Sequence, residues 1–74
     1  MEDLFSVQLP VNGRKVAFKV VFDQEQYNFL PDNAEAGRFF IRRVHDEWQV
    51  QENVSDELRV QAVEALDRYL LKQH

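Results

Sequence analysis

The stretch FSVQLPVNGRKVAFKVVF, residues 5–22, carries the signal that decides the fold. Asn12-Gly13 is the dipeptide that best tolerates the two positive φ angles of a type I′ hairpin turn. A two-residue loop places Leu9 opposite Val16, and the same register forms two further apolar pairs, Val7 with Phe18 and Phe5 with Val20. One face of this hairpin is therefore predicted to be apolar and the other mostly polar.

Four or five strands are predicted in all, followed by one helix. The strands cover about residues 4–11, 14–22, 26–30, 38–44 and 48–51, and the helix covers about 56–72, with Ser55 as its N-cap. Short loops join the strands, which requires antiparallel pairing. The predicted fold class is α+β: an antiparallel four- to five-stranded meander sheet packed on one long C-terminal helix, with residues 1–74 as a single domain.

Composition narrows the range of functions. The chain has 74 residues, 45% of them hydrophobic, and a net charge of −4, so it has enough apolar mass to fold and a field that repels phosphate backbones. It contains no cysteine, which excludes disulfides, thiol nucleophiles and zinc-finger sites and fits a reducing cytoplasm. The start, MEDLFSVQLP, has neither the basic region nor the apolar run of a signal peptide or membrane span. We therefore expect a mature, soluble, cytoplasmic protein with no membrane partner.

The order of motifs along the chain resembles a known group of proteins. A strand–Asn-Gly–strand unit is followed by YNFLPD, GRFFIRRV, DEW and the helix ELRVQAVEALDRYL. This arrangement resembles small single-domain bacterial proteins of ββββα order, and the resemblance implies a fold but no activity. The same element order occurs in some single-strand-binding domains such as Pur-type repeats, whose basic, glycine-rich strands this sequence does not show.

The stretch GRFFIRRVHDEWQV, residues 37–50, interleaves arginines with aromatic residues. Such a surface can stack bases, so the alternative function is single-stranded nucleic-acid binding through a patch of Lys19, Arg38, Phe40, Arg42 and Arg43. The net charge and the acidic turn that follows argue against it, because base-stacking platforms normally lie in a positively charged groove. We favour the interpretation that these residues form a solvent-exposed sheet face that binds no nucleic acid.

The sequence leaves open which face of the predicted strand 38–44 is buried, since each face carries both apolar and basic residues. The preferred phase places Phe39 and Ile41 against the helix and leaves Phe40 and Arg42 outward. Trp48, the one tryptophan, is expected to close the core between sheet and helix, because so short a chain can hardly leave its largest apolar side chain outside.

No catalytic, metal-binding or cofactor-binding constellation is recognisable in the sequence. His45 beside Asp46 is half of a general acid–base pair, but no nucleophile accompanies it. His45 and His74 have no metal-ligand spacing, and the loop carboxylates lack the spacing of a calcium loop. The sequence therefore predicts no enzyme, no cofactor and no metal site.

The helix shows where an interaction is expected. At 100° per residue, Val60 and Leu71 fall outside the arc that faces the sheet, and Val63 and Leu70 lie at the margin of the same strip. Either a strongly curved sheet buries this strip, or a protein partner or a second copy of the chain covers it. The sequence thus predicts a non-enzymatic interaction domain, with Val60, Val63, Leu70 and Leu71 as the candidate interface and self-association as one mode.

Overall fold

The computed structural model of the chain describes residues 1–33 and 36–73. Five strands form one antiparallel sheet in the order β1-β2-β3-β4-β5, and a helix follows them. The elements are β1 (Glu2–Val11), β2 (Arg14–Asp23), β3 (Gln26–Pro31), β4 (Phe39–Val44), β5 (Glu47–Val50) and α1 (Asp56–Leu71). The predicted α+β meander with one C-terminal helix is confirmed, and the sheet has five strands.

The β1–β2 hairpin has the predicted register, with Leu9 opposite Val16. Asn12 and Gly13 have φ angles of 50° and 79°, the two positive values that a type I′ turn requires. The strand β1 begins two residues earlier than predicted, because a register shift between Asp3 and Phe5 lets the chain continue its pairing with β2. Such a bulge bends an edge strand and increases its twist.

The two other tight turns of the sheet contain no glycine. Gln24 and Glu25 join β2 to β3 with φ angles of 54° and 60°, and His45 and Asp46 join β4 to β5 with φ angles of 51° and 64°. The left-handed conformation costs a residue with a Cβ atom roughly 1–2 kcal/mol. The strand pairing on either side therefore holds four side-chain-bearing residues in an unfavourable backbone conformation.

The core lies between α1 and one face of the sheet. Three phenylalanines form its centre: Phe29 stacks on Phe39 with ring centroids 4.7 Å apart, and Phe18 meets Phe39 edge-on at 5.6 Å. Phe39 and Ile41 are buried, so the preferred phase of β4 is correct. Removing one of these phenylalanine side chains would cost about 3–5 kcal/mol, a large part of the stability of a small domain.

Helix α1 begins at Asp56 because the Ser55 hydroxyl accepts a hydrogen bond from the backbone N–H of Leu58 at 3.2 Å. Its buried face consists of Leu58, Ala62, Ala65 and Leu66. The helix backbone lies closest to β1. There the Tyr69 ring stacks on Phe5, with centroids 4.5 Å apart. The helix is therefore attached most closely at one edge of the sheet.

The substitution Gly13→Val should lower the free energy of unfolding by about 1–2 kcal/mol, because a β-branched residue resists the left-handed conformation. A Cβ atom at Gly13 would meet nothing within 4 Å, so the cost lies in the backbone alone. Chemical denaturation measures it. Gly37→Val is the matched control, since Gly37 also has open space and no positive φ. An equal loss in both variants would contradict the turn assignment.

Replacing Gln24-Glu25 with Asn-Gly should raise the free energy of unfolding by about 1 kcal/mol, because asparagine tolerates the left-handed conformation better than glutamine and glycine has no Cβ atom. In a domain of this size that corresponds to an increase in Tm of roughly 4–8 °C. Glu52→Gly makes a similar chemical change where φ is not positive and should destabilise the chain. If thermal melting showed no increase in the Tm of the double variant, the β2–β3 turn would not be strained.

Candidate functional site

Trp48 on β5 closes the core at the edge of the sheet that lies away from β1. Its indole N–H donates a hydrogen bond of 2.9 Å to the carboxylate Oδ1 of Asp67 on α1. The Tyr27 ring packs edge-on against it at 5.7 Å, and the Arg43 guanidinium lies over it at 4.5 Å from the ring centroid. Trp48 is therefore half-buried rather than central, with its polar atom satisfied and part of its ring at the surface.

The arc of the helix above Trp48 carries apolar side chains. Asp67 lies on this arc, and its bond to Trp48 shows that the arc faces β5. Val63 and Leu70 are half-buried against the core, whereas Val60 is 52% exposed and Leu71 is 73% exposed. These residues lie along the helix, and with Trp48 they form a surface that we name the helix–β5 flank: Trp48, Val60, Val63, Leu70 and Leu71.

Carboxylates interrupt the apolar residues of this flank. Glu64 and Asp67 lie between Val60 and Leu71 on the same side of the helix, and both are exposed. The ends of the strip are about 16 Å apart, given a rise of about 1.5 Å per residue. The helix–β5 flank is thus apolar at its two ends and acidic between them.

The candidate nucleic-acid patch is divided between two faces of the sheet. Phe40 and Arg42 occupy alternate positions of β4 on the face opposite α1, and Arg42 lies over the Phe40 ring at 5.6 Å from its centroid. Arg38 precedes β4 and lines a depression with Asn28 and Leu30. Arg43 points to the helix side, where it covers Trp48. The structure therefore brings two of the five predicted residues, Phe40 and Arg42, into contact and separates Arg43 from them.

Lys19 does not join that group either. Its ammonium pairs with the Asp3 carboxylate at 2.8 Å, and β3 lies between it and β4. Phe40 and Arg42 also line a shallow depression of about 570 Å³. Its other lining residues are Gln49, Val50, Gln51, Glu52 and Asn53. Lys19 is thus locally neutralised and is separated from Arg42 by β3.

His45 lies in the β4–β5 turn and is exposed beside Asp46. Within residues 1–33 and 36–73, no group of three or more His, Cys, Asp or Glu side chains is arranged to hold a metal ion. His74 lies outside the described residues. Nothing in the described part of the chain assembles a nucleophile, a base and a base-orienting group around His45.

Sequence reasoning missed the role of Asp67. It stands in the acidic outer part of the helix and resembles any solvated carboxylate, yet it fixes the indole of Trp48 from 19 residues away. One signal was present: a lone tryptophan near a sheet edge needs a hydrogen-bond acceptor for its N–H. The sequence does not reveal which carboxylate supplies it.

Comparison with protein-family models, with curated proteins and with solved structures finds no match to this chain. In the part of the chain that the structure describes, no helix has the length and apolar character needed to cross a bilayer.

We expect no tight binding of single-stranded nucleic acid, because the net charge is −4 and the predicted patch is split. Fluorescence anisotropy of labelled oligo(dT) at low salt measures this. The opposite result would be sub-micromolar, steeply salt-dependent binding that Arg38→Ala with Arg42→Ala abolishes. Arg43→Ala is the matched control, since that side chain lies on the other face.

Proposed function

We propose that this chain is a non-enzymatic interaction domain that docks a partner protein through the helix–β5 flank. The observation that carries the proposal is the exposure of Val60 and Leu71, at 52% and 73%, in line with Val63 and Leu70, which are half-buried. Single exposed apolar side chains are common on proteins, but here each exposed one has a half-buried apolar neighbour on the helix, and Asp67, on the same side of the helix, is bonded to Trp48.

Covering the flank would be favourable. Full burial of a valine or leucine side chain contributes roughly 1.5–3 kcal/mol, so the exposed parts of Val60 and Leu71 correspond to about 1–2 kcal/mol each. Trp48 is already held in place by Asp67 and Arg43, so little side-chain entropy would be lost when a partner packs on it. Tryptophan is among the residues most enriched in the energetic centres of interfaces.

The charges on the flank favour a partner over a second copy. Two copies of α1 packed antiparallel about a two-fold axis would place Val60 opposite Leu71, and this same arrangement would place Glu64 opposite Asp67. Two pairs of like charges would then meet in the middle of the interface. A partner surface with a basic residue between two apolar ones matches the flank better. Self-association remains an outcome of the test.

The double substitution Val60→Lys with Leu71→Lys should abolish capture of the partner from cells of the source organism by the purified protein, because two ammonium groups would have to be buried. Its free energy of unfolding should change by less than about 0.5 kcal/mol, since both sites are largely exposed. Gln61→Lys with Gln73→Lys adds the same charge at exposed positions and is the matched control.

Mass spectrometry of the captured proteins, light scattering and melting together separate the outcomes. Loss of one specific protein in the flank variant, but not in the control, supports the proposal. A partner retained by both variants contradicts it. A dimer of the unmodified protein that the flank variant dissociates would mean that a second copy is the occupant. A collapse in stability would show that Val60 and Leu71 belong to the core.

A further inference from the structure

We propose that the free edge of β5 accepts an extended segment of the partner as a sixth strand of the sheet. This inference rests on the proposed function and specifies the partner: a segment in β conformation that carries apolar residues and at least one basic residue. The structural basis is the position of β5, which ends the sheet and, among residues 1–33 and 36–73, pairs with β4 alone.

The hydrogen-bond pattern shows which backbone groups of β5 are free to pair. The backbone N–H of Gln51 donates to the carbonyl of Phe40 at 3.2 Å, so Gln51 directs its backbone toward β4. Antiparallel pairing alternates, so Gln49, opposite Arg42, also directs its backbone inward. Trp48 and Val50 therefore direct their N–H and carbonyl groups outward, as a new strand requires.

The other edge of the sheet is protected in ways that β5 is not. The alternation in β1 directs the backbone of Ser6, Gln8 and Pro10 outward, and Pro10 has no N–H to donate. Ala17 lies opposite Gln8, and its carbonyl accepts a hydrogen bond of 3.0 Å from the backbone N–H of Asp32, on the β3 side. Ala17 therefore directs its backbone away from β1, which confirms that Gln8 directs its own backbone outward. The bulge between Asp3 and Phe5 disrupts the other end of β1. The strand β5 has neither a proline nor a bulge in its pairing.

The side chains around β5 match an apolar and basic segment. An added strand would place alternate side chains beside Trp48 and Val50, next to the apolar part of the helix–β5 flank. Three carboxylates, those of Asp46, Glu47 and Glu52, stand at or near the ends of β5 in the chain, and that of Asp67 contacts Trp48, whereas the adjacent strand β4 supplies two arginines, Arg42 and Arg43. A lysine or arginine on the incoming strand would therefore be attracted to this edge.

A second copy of β5 fits this edge poorly. The two-fold antiparallel register that pairs both outward-facing residues of each chain sets Trp48 of one chain opposite Val50 of the other. That register also sets Asp46 opposite Glu52, twice in each dimer. The like charges at both ends of so short a pairing oppose self-association and favour a different chain.

A peptide titration tests the proposal directly. The probe is an acetylated and amidated hexapeptide of alternating valine and lysine, and the readout is the amide NMR spectrum of the whole chain with hydrogen exchange. The amides of Trp48 and Val50 should exchange rapidly in the free protein and become protected with peptide, while those of Gln49 and Gln51 should be protected throughout. The corresponding valine–glutamate peptide should bind at least about tenfold more weakly.

Val50→Pro removes an outward N–H without removing a bond to β4, and it should weaken binding of the lysine peptide by about tenfold. Val50→Ala keeps that N–H and is the matched control for the lost side chain. If Val50→Pro and Val50→Ala bound the lysine peptide equally well, strand addition would be overturned. Binding of the valine–glutamate peptide as tightly as the lysine peptide would also overturn the proposal. Protection of the Trp48 and Val50 amides in a dimer without peptide would assign the edge to a second copy instead.

The failure of strand addition can be distinguished from the failure of the proposed function. Peptide-induced shifts confined to the helix amides around Val60 and Leu71, with the Trp48 and Val50 amides still exchanging rapidly, would overturn strand addition and leave the flank as the docking surface. Absence of binding by the lysine peptide, together with a partner that the Val60→Lys and Leu71→Lys variant still captures, would overturn both.

Discussion

The register of the β1–β2 hairpin is the constraint on which the rest of the structure depends. Its turn places most of the large apolar side chains of two long strands on one face, with Leu9 opposite Val16 and Phe5 opposite Val20, whereas Val21 lies on the other face. A slip of one residue would move that whole set to the other face. A chain of 74 residues has only one small core, so β3, β4 and the helix must all pack on the face that this hairpin defines.

The position of the helix explains why one side of the domain is closed by a tryptophan. Tyr69 stacks on Phe5 and holds α1 near β1, so the helix does not extend evenly over β4 and β5. Trp48 is large enough to cover the remaining core, and its indole N–H finds an acceptor in Asp67. The half-buried and exposed apolar residues above it follow from the same geometry. The position of α1 near β1 therefore accounts both for the packing of the core and for the proposed docking surface.

The two edges of the sheet differ in the features that limit pairing with a further strand. The long strand β1 is interrupted by Pro10 and by a bulge, which are devices that prevent unwanted pairing. The short strand β5 has neither device, and acidic residues stand at both of its ends. Negative charge repels another copy of the same edge and attracts a basic segment. The same side chains can therefore oppose self-pairing and select a basic partner.

The sequence by itself determined the hairpin register, the cap of the helix at Ser55 and the position of Val60 and Leu71 outside the arc that faces the sheet, whereas their exposure was decided by the tertiary structure. The register, the cap and the position depend on local turn chemistry, capping or a fixed angle per residue, which few nearby residues decide. Only the tertiary structure decided that Arg43 turns away from Arg42 toward Trp48, that Lys19 pairs with Asp3, and that Asp67 holds the indole. Both faces of β4 carry apolar and basic residues, so local pattern left its phase open until pairing of Tyr27 with Ile41 fixed it. These contacts join residues far apart in the chain, and their geometry exists only once the sheet and helix have packed.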